Sequence, residues 1–259
     1  MTARQESANG AVRFDDADTV AAEVLALRRP LLVAFDVDGV LAPIVAHAAD
    51  AALLPGMLDL LIRLSARAAV GVVSGRAIEN LERFGFPDSF VVSGSHGAER
   101  RGTPLAQLST VETLRLNRLR ALADRAAIAA GPGAWVEGKP TGVVLHVRET
   151  AVAAGAKALD HLAMEAAAVA GASVKRGHAV VELTTRPATK AAAVAAMRLE
   201  LPPGALVFVG DDVTDEDVFR SLADGDLGIR VGRGVTSASR RLRSPQSVLT
   251  FVRCLVAAL

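Results

Sequence analysis

The chain opens polar and then settles into short apolar runs that end abruptly in polar residues. Residues 1–18 (MTARQESANGAVRFDDAD) contain no apolar stretch and read as a flexible leader without a secretion signal. An Ala/Leu/Val pattern from Thr19 to Leu27 predicts a short helix closed by Pro30. Leu31 to Phe35 is continuously apolar, the texture of a strand buried on both faces of a parallel sheet. That texture returns at Ala69–Val73, Phe90–Val92 and Ala205–Val209, with helical spacing at 55–67, before Arg83 and after Thr189. The middle differs: helices near 110–130 and 151–170 accompany strands at Gly142–Arg148 and Ala179–Leu183. These strands alternate polar and apolar, as a sheet with one open face does. The class is α/β: a Rossmann-like parallel-sheet core, 19–100 with 186–259, interrupted by an inserted α/β cap domain at 101–185.

Composition narrows the partners. Twenty-nine basic against 28 acidic side chains leave a net charge of +1, too little to hold nucleic acid or an anionic membrane. Eight Phe, one Trp and no Tyr offer little for base stacking. No uncharged, strongly hydrophobic run reaches the ~18–20 residues of a membrane span. The single cysteine, Cys254, rules out an internal disulfide framework and a Cys-based zinc site, and a cytoplasmic location is expected.

The chemistry gathers where the buried strands stop. Asp36-Val37-Asp38-Gly39, Ser74-Gly75-Arg76 and Gly210-Asp211-Asp212 each follow such a strand, and open α/β sheets bind ligands beyond those carboxyl ends. An extended backbone throws Asp36 and Asp38 to the same side, and Gly39 permits a sharp turn. Asp211 and Asp212 follow from the last strand, with Asp215 one helical turn on. Like charges so close cost roughly 4 kcal/mol per pair at 4 Å and an effective dielectric near 20. A cation offsets that cost, and an all-carboxylate set favours Mg²⁺ over zinc. Ser74 and the amides after it, at an expected helix N-terminus, offer donors for a phosphate that Lys190 would neutralise. Together these groups suit phosphoryl transfer through an aspartyl-phosphate.

The ordered motifs resemble the haloacid dehalogenase superfamily of phosphatases and, within it, the trehalose-6-phosphate phosphatase family. They are Asp36-Val37-Asp38-Gly39-Val40-Leu41-Ala42-Pro43-Ile44, Val73-Ser74-Gly75-Arg76, Gly94-Ser95-His96-Gly97-Ala98-Glu99 and Gly210-Asp211-Asp212-Val213-Thr214-Asp215-Glu216-Asp217-Val218-Phe219. The likeness spans about residues 30–230 and implies a hydrolase core with a cap. It implies Asp36 as nucleophile and Asp38 as the acid that protonates the leaving sugar oxygen and then activates water. It implies Mg²⁺ on Asp36, Asp38 through its carbonyl, and Asp211, with Asp215 in support and Asp212 adding to the set. Ser74 and Lys190 would grip the phosphate, with Gly75 and Arg76 extending the loop and His96 joining from its Gly-flanked turn. In the cap, Glu137, Lys139, His146, Arg148 and Glu182 sit where the family contacts its disaccharide. Spacing adds that His146 and Arg148 share a strand face, as do His178, Val180 and Glu182. Val40, Val147, His178 and Ala191 depart from the family pattern, where Thr, an aromatic, Lys and Gly are usual.

Blander roles fit other residues. Asp217, three residues after Thr214, has the spacing of a helix capping box, and His47 and His161 read as surface histidines. Arg76 has a second reading, as the partner of a nearby acid. Gly133 to Lys139 nearly spells a P-loop, but Pro140 replaces the magnesium-binding hydroxyl and the flanks run helix to strand. A receiver-type signalling module lacks both the cap and the Asp-x-Asp spacing. The expected activity is hydrolysis of trehalose 6-phosphate by a monomer with a small-molecule sugar phosphate as its partner. A phosphatase of another sugar or disaccharide phosphate, and a catalytically silent sugar-phosphate-binding protein, are the alternatives.

Overall fold

The computed structural model describes residues 12–45, 47–103, 107–186 and 188–258, so most of the expected leader lies outside the described residues. In chain order the first elements are α1 (Ala17–Leu25), β1 (Leu31–Phe35), α2 (Met57–Ser65), β2 (Ala69–Val73), α3 (Ile78–Glu82), β3 (Val91–Gly94) and β4 (Glu99–Arg100). Next come α4 (Thr110–Ala130), β5 (Trp135–Lys139), β6 (Gly142–His146), α5 (Val152–Ala167), β7 (Ser173–Gly177) and β8 (Val180–Thr184). The chain closes with α6 (Lys190–Glu200), β9 (Ala205–Gly210), α7 (Glu216–Ser221), β10 (Leu227–Val231), β11 (Arg240–Leu242) and α8 (Pro245–Ala258). It divides into two compact units, Met1–Pro104 with Thr189–Leu259, and Leu105–Ala188.

The first unit is a seven-stranded sheet ordered β11-β10-β9-β1-β2-β3-β4, parallel except where β4 runs against β3. Leu31, Val33 and Phe35 point into a core shared with α1, α2 and α8, while Leu32 and Ala34 point into one shared with α6 and α7. Covering both faces is what makes β1 apolar without interruption. β1 pairs with β2 on one side and β9 on the other, and the crossovers leave in opposite directions. That switch point opens a crevice at the strands' carboxyl ends. The Asp36 N–H, donating to the Val209 carbonyl at 2.9 Å, extends the pairing one residue beyond β1.

One boundary moves relative to expectation. α1 starts at Ala17, and Asp15 exchanges bonds with Arg241: its N–H donates to the Arg241 carbonyl, and its carboxylate accepts from the Arg241 N–H, both at 2.8 Å. Residues 15–18 thus belong to the folded unit rather than to a leader.

The second unit is an antiparallel sheet ordered β5-β6-β8-β7 with α4 and α5 packed on one face. Ser109 and Glu112 close a capping box at the start of α4. Arg186, together with Ser109, holds the Glu112 carboxyl down at about 2. Val143, Leu145, Val181 and Leu183 meet the helices beside Leu119, Leu122 and Leu162. β5 and β7 escape the sequence pattern because each edge strand sends only one valine, Val136 or Val174, toward that core.

Candidate active site

Asp36 follows β1 and is almost wholly buried. Its Oδ1 accepts from the Val37 N–H at 2.7 Å, and its Oδ2 accepts from Lys190 Nζ at 2.6 Å. Lys190 is the first residue of α6, started by Thr189, whose hydroxyl accepts from the Ala192 N–H. The same ammonium donates to Asp215 Oδ1 at 2.8 Å. Asp215 Oδ2 accepts from the Asp211 and Asp212 N–H groups at 2.8 and 2.9 Å, so Asp215 ties the lysine to the turn after β9. Gly39, at φ +75°, leaves room for that turn: a Cβ there would lie 2.0 Å from Asp211 Oδ2.

Charge is crowded at this point. Burial pushes the Asp36 carboxyl up to about 7 against the pull of Lys190, with Asp215 adding to the rise. Asp211 rises to about 8, from burial first and then from the charges of Asp36 and Asp215. Burial alone would lower Lys190, but Asp36 and Asp215 outweigh it and hold the ammonium above an ordinary lysine. One oxygen from each of Asp36, Asp211 and Asp215 lies within 4.8 Å of the others. With all three carboxylates ionised the set would carry two negative charges beyond the one ammonium, a hard oxygen set that fits a divalent cation of the magnesium type.

Asp38 turns elsewhere. Arg76 Nε and one of its terminal nitrogens donate to the two Asp38 oxygens, each at 2.7 Å, a bidentate fork. Ser74 is buried at the end of β2, its hydroxyl accepting from the Arg76 N–H at 3.2 Å. It does not sit at a helix N-terminus: α3 begins four residues later, and the Ile78 N–H donates to Glu99. His96 adopts the left-handed region at φ 56°, its N–H donating to the Ser74 carbonyl at 2.9 Å. Its ring covers Gly75, where a Cβ would fall 2.8 Å from the imidazole. The Ser95 hydroxyl meets Glu99, whose other oxygen accepts from the Ile78 N–H at the start of α3. The Ser95 N–H donates to the Arg76 carbonyl at 2.7 Å, which fastens this loop to the Ser74–Arg76 segment.

In the second unit the expected sugar residues gather on the sheet face away from the helices. Glu137 and Lys139 of β5 lie in register with Val144 and Gly142 of β6, and Val144 is in register with Glu182 of β8. Lys139 Nζ donates to Glu182 Oε1 at 2.7 Å, and His146 Nε2 meets Glu137 Oε2 at 2.9 Å. The His146 bond, first, and the Lys139 charge hold the Glu137 carboxyl below the usual carboxylate range against partial burial.

A model of the trehalose-phosphatase family matches residues 34–247. The chain is 32% identical to the trehalose-6-phosphate phosphatase of Escherichia coli over 240 residues, covering 87% of this chain and 86% of that one. It is 36% identical to a probable trehalose-phosphate phosphatase of Sinorhizobium fredii over 234 residues, 86% and 85% of the two chains. A solved Aspergillus fumigatus trehalose-6-phosphate phosphatase aligns with a TM-score of 0.67 at 25% identity, over 96% of this chain and all of that one. The chain belongs to the trehalose-phosphatase family.

Within that family, several positions of this chain stand apart from the sequence expectation. Arg148 lies in the turn after β6, which ends at His146, so the two share no strand face. His178 and Ala179 form the turn between β7 and β8, leaving His178 exposed and off the Glu182 face. The Asp212 carboxylate is exposed and caps the short turn containing Asp215, outside the Asp36–Asp211–Asp215 group. The Asp38 carboxylate, turned to Arg76, is outside that group too. Asp217 caps nothing; it pairs with Arg220 at 2.7 Å. His47 and His161 are exposed. The departures Val40 and Val147 are both core residues, which accounts for their apolar character.

Sequence reasoning missed three supports. Glu216 and Arg230 form a buried pair, and Arg230 also donates to the Asp212 carbonyl at 3.0 Å, bracing the acidic turn from β10. Lys175 sits in register with Glu182 on the polar face. Trp135 stacks on His146 with ring centroids 3.9 Å apart and planes 2° from parallel. Only the location of Trp135, two residues before Glu137, could have flagged it.

Proposed function

We infer that the chain hydrolyses trehalose 6-phosphate to trehalose and phosphate through an aspartyl-phosphate on Asp36. The observation that carries this reading is the grouping of buried Asp36, Lys190 and Asp215 with half-buried Asp211 where β1 and β9 end. Asp36 attacks phosphorus, the bond from phosphorus to the sugar oxygen breaks, and Asp38 protonates that oxygen. Asp38 then takes a proton from the water that cleaves the aspartyl-phosphate. Both Asp38 oxygens accept from Arg76, so proton transfer requires that fork to open, and Arg76 acts as a positioning residue. Ser74 and Lys190 hold the phosphoryl oxygens, next to Gly75 and His96.

Asp36, Asp211 and the Asp38 carbonyl would hold Mg²⁺, while Asp215 fixes the turn and Asp212 caps it. Bound there, the ion would neutralise charge on the phosphoryl oxygens. Leu105–Ala188 serves as the cap, selecting the sugar through Glu137, Lys139, His146 and Glu182, with Arg148 from the adjoining turn. Among the described residues no helix is long and apolar enough to cross a membrane. The cytoplasm suits a chain whose single thiol, Cys254, is half-buried and unpaired.

Phosphate release from a panel of sugar phosphates, with and without Mg²⁺, tests the reading. Trehalose 6-phosphate should be preferred and the release should need the ion. Faster release from another disaccharide phosphate would reassign the substrate. No release from any member would leave a binding protein.

A further inference from the structure

The polar face of the second unit has one member that hydrogen bonding does not explain. Trp135 is the only tryptophan in the chain, and it stays 52% exposed. Among the described residues it is the only large exposed hydrophobic on a strand of this unit; Val111, Leu114, Ile128, Val152 and Met164 belong to helices. It shares a strand face with Glu137 and Lys139, at alternate positions of the edge strand β5. His146 covers one side of the indole, and Glu137 fixes the imidazole through its 2.9 Å bond. The chain Glu137 to His146 to Trp135 therefore sets the plane of the indole without burying it.

A pyranose presents two chemistries at once. Its rim carries hydroxyls that need hydrogen-bonding partners, and its faces carry C–H groups that need a flat apolar surface. Ligand sites combine these in the same way, with aromatic walls and a few placed polar groups. Glu137, Lys139 and Glu182 supply charged partners for a rim on the same sheet face as an indole already held in plane. Left in water, the exposed indole face gains nothing from its fixed orientation.

We propose that Trp135 is a specificity-determining residue, a platform on which one pyranose ring of the substrate stacks while neighbouring charged groups take its hydroxyls. This rests on the reading of the chain as a sugar-phosphate phosphatase. It deepens that reading by assigning the apolar half of sugar recognition to a residue outside the family's expected set.

The lone tryptophan makes the test direct, because tryptophan emission from this chain reports Trp135 alone. Titrating the full-length Asp36→Asn protein with trehalose 6-phosphate should give a saturable change in that emission. In the otherwise unaltered enzyme, Trp135→Ala should raise KM for trehalose 6-phosphate roughly 10-fold or more with a much smaller change in kcat. Trp135→Phe should recover most of that loss, since a flat ring remains. An unchanged KM in Trp135→Ala, or a Trp135→Phe no better than Trp135→Ala, would overturn the proposal while leaving the phosphatase reading in place. Emission that stays flat while trehalose 6-phosphate binds would do the same. Absence of trehalose 6-phosphate turnover by the unaltered enzyme would overturn both.

Discussion

The Asp36–Lys190–Asp215 group of the first unit and the Glu137–His146 pair of the second hold their charges under opposite conditions, whereas Lys139–Glu182, beside the latter, is mostly buried. In the first, Lys190 and Asp215 are sealed from solvent, and every oxygen of Asp215 and Asp36 has a partner. In the second, the Glu137–His146 pair is about one-third open on the carboxylate side and beside an indole in water. Breaking a buried pair costs about 3–5 kcal/mol because a charge is left without compensation. An open pair is worth only about 0.2–1 kcal/mol. The contrast separates roles: the sealed group is rigid enough to position a nucleophile, and the open Glu137–His146–Trp135 part of the second unit's polar face can change its side chains without threatening the fold. Chemistry common to all phosphomonoesters belongs with the first, and choice among sugars with the second.

The sharpest way to break this comparison is at the nucleophile. Asp36→Asn should lower turnover by at least about 10⁴-fold on every phosphomonoester, because an amide neither attacks phosphorus nor binds a hard cation well. Its melting temperature should stay close to that of the parent, since Lys190 keeps Asp215. Lys190→Ala tests the sealed group as structure. Asp36 and Asp215 would both lose their ammonium, and urea unfolding should report a loss of about 3–5 kcal/mol. A loss below about 1 kcal/mol would mean that the pocket is wetter than its burial indicates.

The metal comes next. A chelator should remove activity and Mg²⁺ restore it, and Asp211→Asn should raise the Mg²⁺ concentration for half-maximal rate by more than the roughly 10- to 100-fold that losing an outer-shell partner of a ligand costs. Full activity after chelation would remove the ion from the account. The smallest effect concerns Arg76. Arg76→Lys keeps the charge but not the two-pronged fork on Asp38, and should change kcat about 10-fold with KM nearly constant. A shift confined to KM would place Arg76 on the substrate instead.

What could be read ahead of the structure follows the same division. β1, β2 and β9 were legible because burial on both faces leaves no polar interruption, and their endings located Asp36, Ser74 and Asp211 directly. The partners of those residues were not legible. Arg230 bracing the Asp212 carbonyl and Glu99 fastening the His96 loop are long-range contacts with no local pattern. In the second unit, edge strands with a single inward valine gave no period to detect, so β5 appeared only as the residues Glu137 and Lys139. Strand ends misled too, because a turn needing a left-handed Ala179 places His178 outside the face that alternation assigned it. Arg76 had two readings, and the fork on Asp38 is the one the geometry holds.

The division of labour between the units is tested most directly by one ratio. It is kcat/KM for trehalose 6-phosphate over kcat/KM for a small aryl phosphate, measured for the parent and for Glu182→Gln. The Lys139 ammonium loses its carboxylate partner in that variant, and hydroxyl-binding groups left without their charge partners discriminate less well. The account predicts that the ratio falls by about 10- to 100-fold, with the loss on trehalose 6-phosphate. A ratio equal to that of the parent, with both substrates losing alike, would mean that the second unit's polar face maintains structure and chooses nothing.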